Sequence, residues 1–182
     1  MASVAPTLET ERLILRHYRK EDFRPHLAIV GDPEVMAHFA GPLGEEDCWR
    51  RIAASVGQWS LCGFGGWAVL RKSDDKLVGT ASLFNAWRAL EPVFGEEPEM
   101  GWIFATEVHG QGIAGEACRA VLGWADANLQ PTTIWAIIAP SNQPSFKLAE
   151  RLGFERLRDT VYNDEATAVL KRPPQGVAEA ED

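Results

Sequence analysis

The sequence reads His109-Gly110-Gln111-Gly112-Ile113-Ala114-Gly115-Glu116-Ala117 where a predicted strand gives way to a predicted helix. The first backbone N–H groups of a helix have no partner within the helix, and the helix dipole favours an anion beside them. Glycines in the stretch remove Cβ atoms that would hold such an anion away. This stretch therefore predicts a phosphate-binding turn.

The same glycines, spaced as Gly110-x-Gly112-x-x-Gly115, also fit the fingerprint of dinucleotide-binding proteins. That fingerprint needs an acidic residue about 20 positions further on, at the end of the next strand. The next predicted strand ends at residues 139–142 without Asp or Glu. An NAD-binding protein is therefore the less favoured alternative. A nucleoside triphosphate loop is excluded, because no Gly-Lys-Ser/Thr follows.

Outward from this turn, the apolar patterns predict the order β-α-α-β-β-β-α-β-α-β-β. The strands are expected at 11–18, 67–70, 77–84, 99–105, 132–139, 155–159 and 166–170, and the helices at 21–29, 45–59, 112–129 and 140–152. The strand at 132–139 is apolar on both faces, as in a central strand covered on both sides. The order predicts an α/β fold with a mixed, mostly antiparallel sheet, one parallel βαβ unit and helices on both faces.

Length and composition favour one soluble domain. The chain has 182 residues, of which 1–172 are expected to form that domain and 173–182 a disordered tail. A formal net charge of −8 argues against nucleic acid as a partner. That charge is compatible with a cationic substrate, or with solubility alone.

Metal, disulfide and membrane chemistry are not indicated. Three cysteines without a CxxC pair and four histidines without ligand spacing predict no metal site and no disulfide framework. No signal peptide and no apolar run of about 18 residues are visible. The expected location is cytoplasmic, with no membrane partner.

The turn resembles the acetyl-CoA pyrophosphate loop of the GNAT superfamily, written Q/R-x-x-G-x-G/A. Gly112 and Ala114 match its last two fixed positions, while His109 departs from the first. One strand later, Asn142-x-x-Ser145 and the run 148–154 (Leu-Ala-Glu-Arg-Leu-Gly-Phe) look like the family's N-x-x-S and E-k-l-G-F segments. The resemblance covers about residues 7–171, and 8–13 with 99–102 look most like the ribosomal-protein N-terminal (RimJ/RimL-type) acetyltransferase branch.

This resemblance implies a strand near 102–105 that splays from a parallel neighbour and pairs with the pantetheine of acetyl-CoA. A backbone N–H of the strand would bind the thioester carbonyl. The helix-starting Asn would bind the pantetheine region; the alternative is that it caps the helix, and both roles can hold at once. The implied cofactor-binding residues are Trp102, Ile103, Phe104, His109, Gly110, Gln111, Gly112, Ile113, Ala114, Gly115, Asn142 and Ser145.

For the chemistry, the resemblance implies two catalytic candidates. Glu99 would accept the proton of the attacking amine, unless it is an ordinary carboxylate of an acidic loop; His109 is the second choice of base. Ser145 would lie near the thiol and could bond it. The Tyr that many GNAT enzymes carry at the position of Ala149 is absent, so the alternative is that the leaving thiolate takes its proton from solvent.

The expected function is acetyl-CoA-dependent N-acetylation of a primary amine, on a small molecule or a peptide N-terminus, by direct attack in a ternary complex. A non-catalytic acyl-CoA-binding module is the alternative within the same fold. The acceptor pocket should involve 39–43 and the loop 85–98. A homodimer is plausible by analogy alone.

Overall fold

The coordinates are a computed structural model, and the structure describes residues 4–175. Residues 173–175 have neither helix nor strand, and the rest of the predicted tail, 176–182, lies outside the described residues. Within the described part of the chain, no helix is long and apolar enough to cross a membrane. Over the same residues, no group of acidic, His and Cys side chains is placed to hold a metal ion.

Within residues 4–175, eight strands and four helices follow the predicted order, with one short strand added at the start. The strands are β1 (Leu8–Glu9), β2 (Leu13–Arg16), β3 (Gly66–Arg71), β4 (Lys76–Phe84), β5 (Glu99–Phe104), β6 (Ile134–Ile138), β7 (Glu155–Tyr162) and β8 (Glu165–Arg172). The helices are α1 (Phe23–Val30), α2 (Glu45–Cys62), α3 (Ile113–Asn128) and α4 (Gln143–Arg151). Short 3-10 turns at Lys20–Asp22 and Thr106–Val108 precede α1 and the glycine turn.

All strands belong to one sheet, in the order β1-β2-β3-β4-β5-β6-β8-β7. Every neighbouring pair is antiparallel except β5 and β6, which are parallel and joined by α3. The predicted mixed sheet with one parallel βαβ unit is confirmed. The alternative of an NAD-binding protein with the dinucleotide fingerprint is wrong, because that class has a doubly wound parallel sheet.

The parallel strands β5 and β6 are paired over only a very short length. Within the described residues, their register consists of one Cα pair, Glu99 with Trp135, beside a hydrogen bond of 2.9 Å from the Trp135 N–H to the Pro98 oxygen. On its other side β5 pairs with β4 along its whole length. The edge of β5 beyond Glu99 therefore lacks a strand partner, which leaves an opening in the middle of the sheet.

Both sheet faces are covered by helices. On one face α1 and α2 pack around Ile29 and Ile52, and on the other α3 contributes Ile113, Ala117 and Val121 to the main core. The C-terminal end of α2 also contacts this main core, because its Trp59 packs against Trp67 of β3 and Trp124 of α3. Trp59, Trp67 and Trp124 meet edge to face with ring centroids 4.7–5.3 Å apart, as large core aromatics commonly do.

A glycine directly after the end of a helix is typical of a left-handed helix end, and Gly153 follows Leu152 in this sequence. Gly153 is left-handed with φ 84°, its N–H bonds the Glu150 oxygen at 3.1 Å, and the Phe154 N–H bonds the Ala149 oxygen at 3.0 Å. These two bonds define a Schellman end, which satisfies carbonyls that the helix itself leaves free.

Candidate active site

The glycine turn presents free backbone donors at the surface. Gly110 and Gly112 are left-handed, with φ of 72° and 77°, and Gly112 is the residue that caps the start of α3. Within residues 4–175, no protein group accepts a hydrogen bond from the backbone N–H groups of 110–115. These donors, at the positive end of a helix, are what binding of an anion requires.

His109 ties the turn to the end of β5. Its Nε2 lies 3.0 Å from the Phe104 oxygen, and because a carbonyl only accepts, Nε2 must carry the hydrogen. The unusual residue at the first position of the motif therefore holds strand and turn together. His109 does not line the cavity described below, so the structure does not aim it at an acceptor amine.

A carboxylate clamp joins the turn to the start of the chain. Oε1 of Glu116 accepts from the Thr10 hydroxyl at 2.5 Å and the Arg12 N–H at 2.8 Å, while Oε2 lies 2.6 Å from the Arg12 Nε. The Arg12 Nη1 also donates to the Gln111 oxygen at 2.9 Å. The clamp thus fixes both the first turn of α3 and the loop before it. Sequence reasoning missed it, because its partners lie more than 100 positions apart and no local pattern joins them.

Replacing Glu116 with Gln should lower the free energy of unfolding by about 1–2 kcal/mol at pH 7, since charged hydrogen bonds are stronger than neutral ones. Burial raises the pKa of Glu116, but the bonds from Thr10 and Arg12 outweigh it and leave the pKa below its ordinary value. The stabilisation is therefore complete above the unfolded-state pKa of about 4.3 and is lost as the pH falls through the depressed folded value.

Urea unfolding of both proteins at pH 7 and in acid measures this difference. The exposed Glu150→Gln, on α4, serves as the control and should match the wild type. A Glu116→Gln deficit that stays the same in acid would contradict the ionic account.

One cavity of about 740 Å³ occupies the opening beside β5 and extends over the sheet face that α1 and α2 cover. The predicted site residues that line it are Glu99, Trp102, Ile103, Asn142 and Ser145. Phe104 and the turn from His109 to Gly115 do not line it. The predicted residues therefore divide between a surface turn and an internal cavity, and β5 connects the two.

The backbone of β5 alternates between its two neighbours. The Ala105 N–H bonds the Val78 oxygen at 2.9 Å, which turns residues 99, 101 and 103 towards β4. The N–H and C=O groups of Trp102 and the N–H of Phe104 therefore face the opening. Ile103 offers the cavity its side chain, while its backbone belongs to the pairing with β4.

Glu99 is the most deeply placed carboxylate of the cavity, with 3% of the residue exposed. Its oxygens lie 2.5 Å and 2.8 Å from Nε and Nη2 of Arg88, which also rests on the ring of Tyr162 at 5.1 Å. Burial raises the pKa of Glu99 and Arg88 lowers it, with burial the larger influence and a raised pKa the result. The pKa of this carboxyl group therefore lies closer to neutral pH than that of an ordinary Glu.

Asn142 and Ser145 lie together at the start of α4. The Asn142 Oδ1 accepts the Ser145 N–H at 3.2 Å, which makes Asn142 the cap of the helix. The capping role that the sequence left open is therefore confirmed. Capping occupies Oδ1 alone, so the Asn142 amide NH₂ and the Ser145 hydroxyl are still available to a ligand, and their cofactor role stays a prediction.

The acceptor side of the cavity agrees in part with the expected segments. Phe39 and Ala40 line it from the loop before α2, and Asn85, Ala86 and Arg88 from the loop after β4, whereas Leu43 borders a separate recess. The cavity also contains Tyr18 and Arg51, which sequence reasoning did not single out. Neither belongs to a motif, and only the tertiary fold brings them to the wall of the cavity that Glu99 also lines.

Residues 12–155 match the model of a protein family described as the acetyltransferase (GNAT) domain. The chain therefore belongs to the GNAT acetyltransferase family and is an acyltransferase. Members of this family use acetyl-CoA as the acetyl donor. The prediction of family and enzyme class from the two motifs is confirmed.

Individual relatives agree over most of the chain. The uncharacterized N-acetyltransferase p20 of Bacillus licheniformis is 30% identical over 158 residues, which are 84% of this chain and 86% of p20. A Bordetella pertussis structure, named as a candidate GnaT-family acetyltransferase, is 31% identical with a TM-score of 0.81, covering 92% of this chain and 99% of that one. Ribosomal-protein-S5-alanine acetyltransferase from Vibrio fischeri shares the fold, at 19% identity and a TM-score of 0.75, covering 94% and 98% of the chains.

Proposed function

We propose that this chain transfers the acetyl group of acetyl-CoA to a primary amine, by direct attack within a ternary complex. The observation that carries the proposal is the row of unpaired N–H groups at 110–115, next to a strand edge that lacks a partner. A diphosphate fits the first feature and an extended amide chain fits the second. Coenzyme A contains both in one molecule.

Different segments of the chain would bind different parts of acetyl-CoA. The turn would hold the diphosphate, while the free backbone groups of Trp102 and the amide of Asn142 would hold the pantetheine. When bound, acetyl-CoA supplies an acetyl group activated as a thioester. An N–H of β5 that faces the opening would donate to the acyl oxygen and stabilise negative charge on it.

Glu99 would accept the proton of the amine, since it lines the cavity and its pKa is raised. Arg88 would act as a positioning residue, because its two hydrogen bonds fix the orientation of that carboxylate. Ser145 would lie near the sulfur of the leaving thiol from its place at the start of α4. Amine and thioester would thus meet inside one cavity, which supplies the orientation that the reaction needs.

Release of free thiol from acetyl-CoA, measured over a panel of small amines and short peptides, tests this function. We expect turnover that depends on the acceptor, and quenching of Trp102 fluorescence by coenzyme A but not by NAD. Binding of acetyl-CoA without turnover of any acceptor would favour the non-catalytic module instead. Sedimentation of the same protein tests the predicted homodimer.

A further inference from the structure

Among the residues that the structure describes, four charged Arg and Glu side chains line the cavity, and one of the two arginines has no counter-ion there. Arg88 is engaged by Glu99, while Arg51 on α2 makes no hydrogen bond or ion pair with any residue from 4 to 175. Its neighbour Arg50, outside the cavity, pairs with both Glu46 and Asp47. The chain has 26 acidic and 18 basic residues, so a shortage of carboxylates does not explain the difference.

The surroundings of Arg51 favour an incoming anion. Desolvation by the surrounding protein lowers the pKa of Arg51, Arg88 lowers it further, and Asp47 opposes both. Glu99 already pairs with Arg88, so its carboxylate is not available to Arg51. An anion bound to Arg51 would favour its charged form and offset its desolvation.

A second polar group on the same helix face lacks a partner. Ser55 lies one turn after Arg51 and lines the same cavity, and its buried hydroxyl has no hydrogen-bond partner among the described residues. Gln58, one turn further, is committed to the backbone N–H and oxygen of Asn85 at 3.0 Å each. A buried hydroxyl without a partner is costly, and an oxygen of a ligand would satisfy it.

We propose that the acceptor is a primary amine that also carries a carboxylate, and that Arg51 binds this carboxylate. The inference rests on the proposed function and names the substrate class of that site. A guanidinium is suited to this role, because its planar donors match the two oxygens of a carboxylate. The cavity's remaining carboxylate, Glu165 at the start of β8, has no partner in the described chain and is available to the ammonium form of such an acceptor.

This inference reverses what the overall charge suggests. A net charge of −8 favours a cationic acceptor at long range, but exposed charges beyond about 8 Å are largely screened at physiological ionic strength. The Arg51 side chain is exposed at the cavity wall and would contact a bound acceptor directly, so we expect it to influence acceptor preference more than the distant charges do.

The carboxylate has two possible sources, and two matched pairs of acceptors separate them. The first pair is phenylalanine and phenylalaninamide, and the second is the amidated peptides Asp-Ala-Ala and Asn-Ala-Ala. Amidation lowers the pKa of an amine and so raises its neutral, reactive fraction. Intrinsic chemistry therefore favours the amide, and a preference for the acid must come from the protein.

We expect the acid of at least one pair to have about tenfold higher kcat/KM, as one charge-assisted contact supplies. Preference in the first pair identifies a free amino acid, and preference in the second an acidic peptide N-terminus. In Arg51→Gln the ratio of kcat/KM for acid over amide should fall to one or below, and in Arg51→Lys to an intermediate value. The neighbouring Arg50→Gln, which does not line the cavity, should keep the wild-type ratio.

Acid-over-amide ratios at or below one that Arg51→Gln does not change would overturn the inference, as would an Arg51→Gln protein that keeps a preference for the acid. Both results include turnover, so the proposed function would survive them. Absence of turnover with any amine, in a protein that does not bind acetyl-CoA, would overturn the proposed function and this inference together.

Discussion

Glu99→Gln should lower kcat by about 100-fold or more while the dissociation constant of acetyl-CoA stays within about twofold of the wild type. General bases contribute on the order of 10²–10⁴ to rate. The carboxylate is 3% exposed and lines the cavity, whereas the turn expected to hold the diphosphate is elsewhere on the surface. The substitution should therefore affect the chemical step and spare the cofactor.

The pH profile supplies the sharper measurement. Burial raises the pKa of Glu99 above its ordinary value despite the opposing bonds from Arg88. A base works only in its ionised form, so kcat should rise with pH through this raised pKa and then level off. Glu99→Gln should lose that rising limb. The loss of kcat in Glu99→Gln should also be smaller for acceptors whose amines have lower pKa values, because such amines lose a proton more readily without a base.

A purely structural role for the Glu99–Arg88 pair makes different predictions. Gln still accepts one hydrogen bond from Arg88, so the fold should lose no more than about 3 kcal/mol in urea unfolding. A structural defect would lower the rate equally for every acceptor and leave the shape of the pH profile unchanged. Glu96 is an exposed carboxylate in the same acidic loop, so Glu96→Gln is the matched control and should behave as wild type. Full activity in Glu99→Gln would eliminate this residue as the base.

The features that the sequence predicted correctly are those with local causes. The glycine turn, the cap at Asn142 and the left-handed Gly153 each depend on residues within one or two helical turns, and the structure has all three conformations. By contrast, the bond from Arg88 to Glu99 spans a loop without periodicity, and Arg12 meets Glu116 across most of the chain. Only tertiary packing determines such contacts, so no pattern in the sequence could indicate them.

Strand boundaries were missed where the pattern is weak. β1 has two residues, too few for an alternation to show. β7 was predicted to end at 159 but continues to Tyr162, because most of this edge strand is polar and a register shift between Arg156 and Arg158 breaks its alternation. The opening beside β5 was expected from the family resemblance alone, since nothing in the β5 and β6 sequences marks the end of their pairing.

Gly112→Val should raise the dissociation constant of coenzyme A by about 30- to 100-fold. Gly112 has φ of 77°, and a Cβ there would lie 3.5 Å from Nη2 of Arg12. A β-branched residue strongly resists this conformation, and such strain costs about 1–3 kcal/mol. The variant turn should therefore relax away from the left-handed form and carry the N–H groups of 110–115 out of position. Binding would then have to restore the strained form.

A donor without a diphosphate separates this effect from general damage. S-acetyl-N-acetylcysteamine keeps the thioester and part of the pantetheine but cannot contact the turn, so Gly112→Val should retain close to wild-type kcat/KM with it. Gly123→Val is the matched control, because Gly123 lies in the middle of α3 and a Cβ added there meets no atom within 4 Å. Equal losses with both donors would mean that the substitution harms the active site as a whole. Unchanged affinity for coenzyme A would mean that the N–H groups of this turn do not bind the diphosphate, and the cofactor assignment would lose its physical basis.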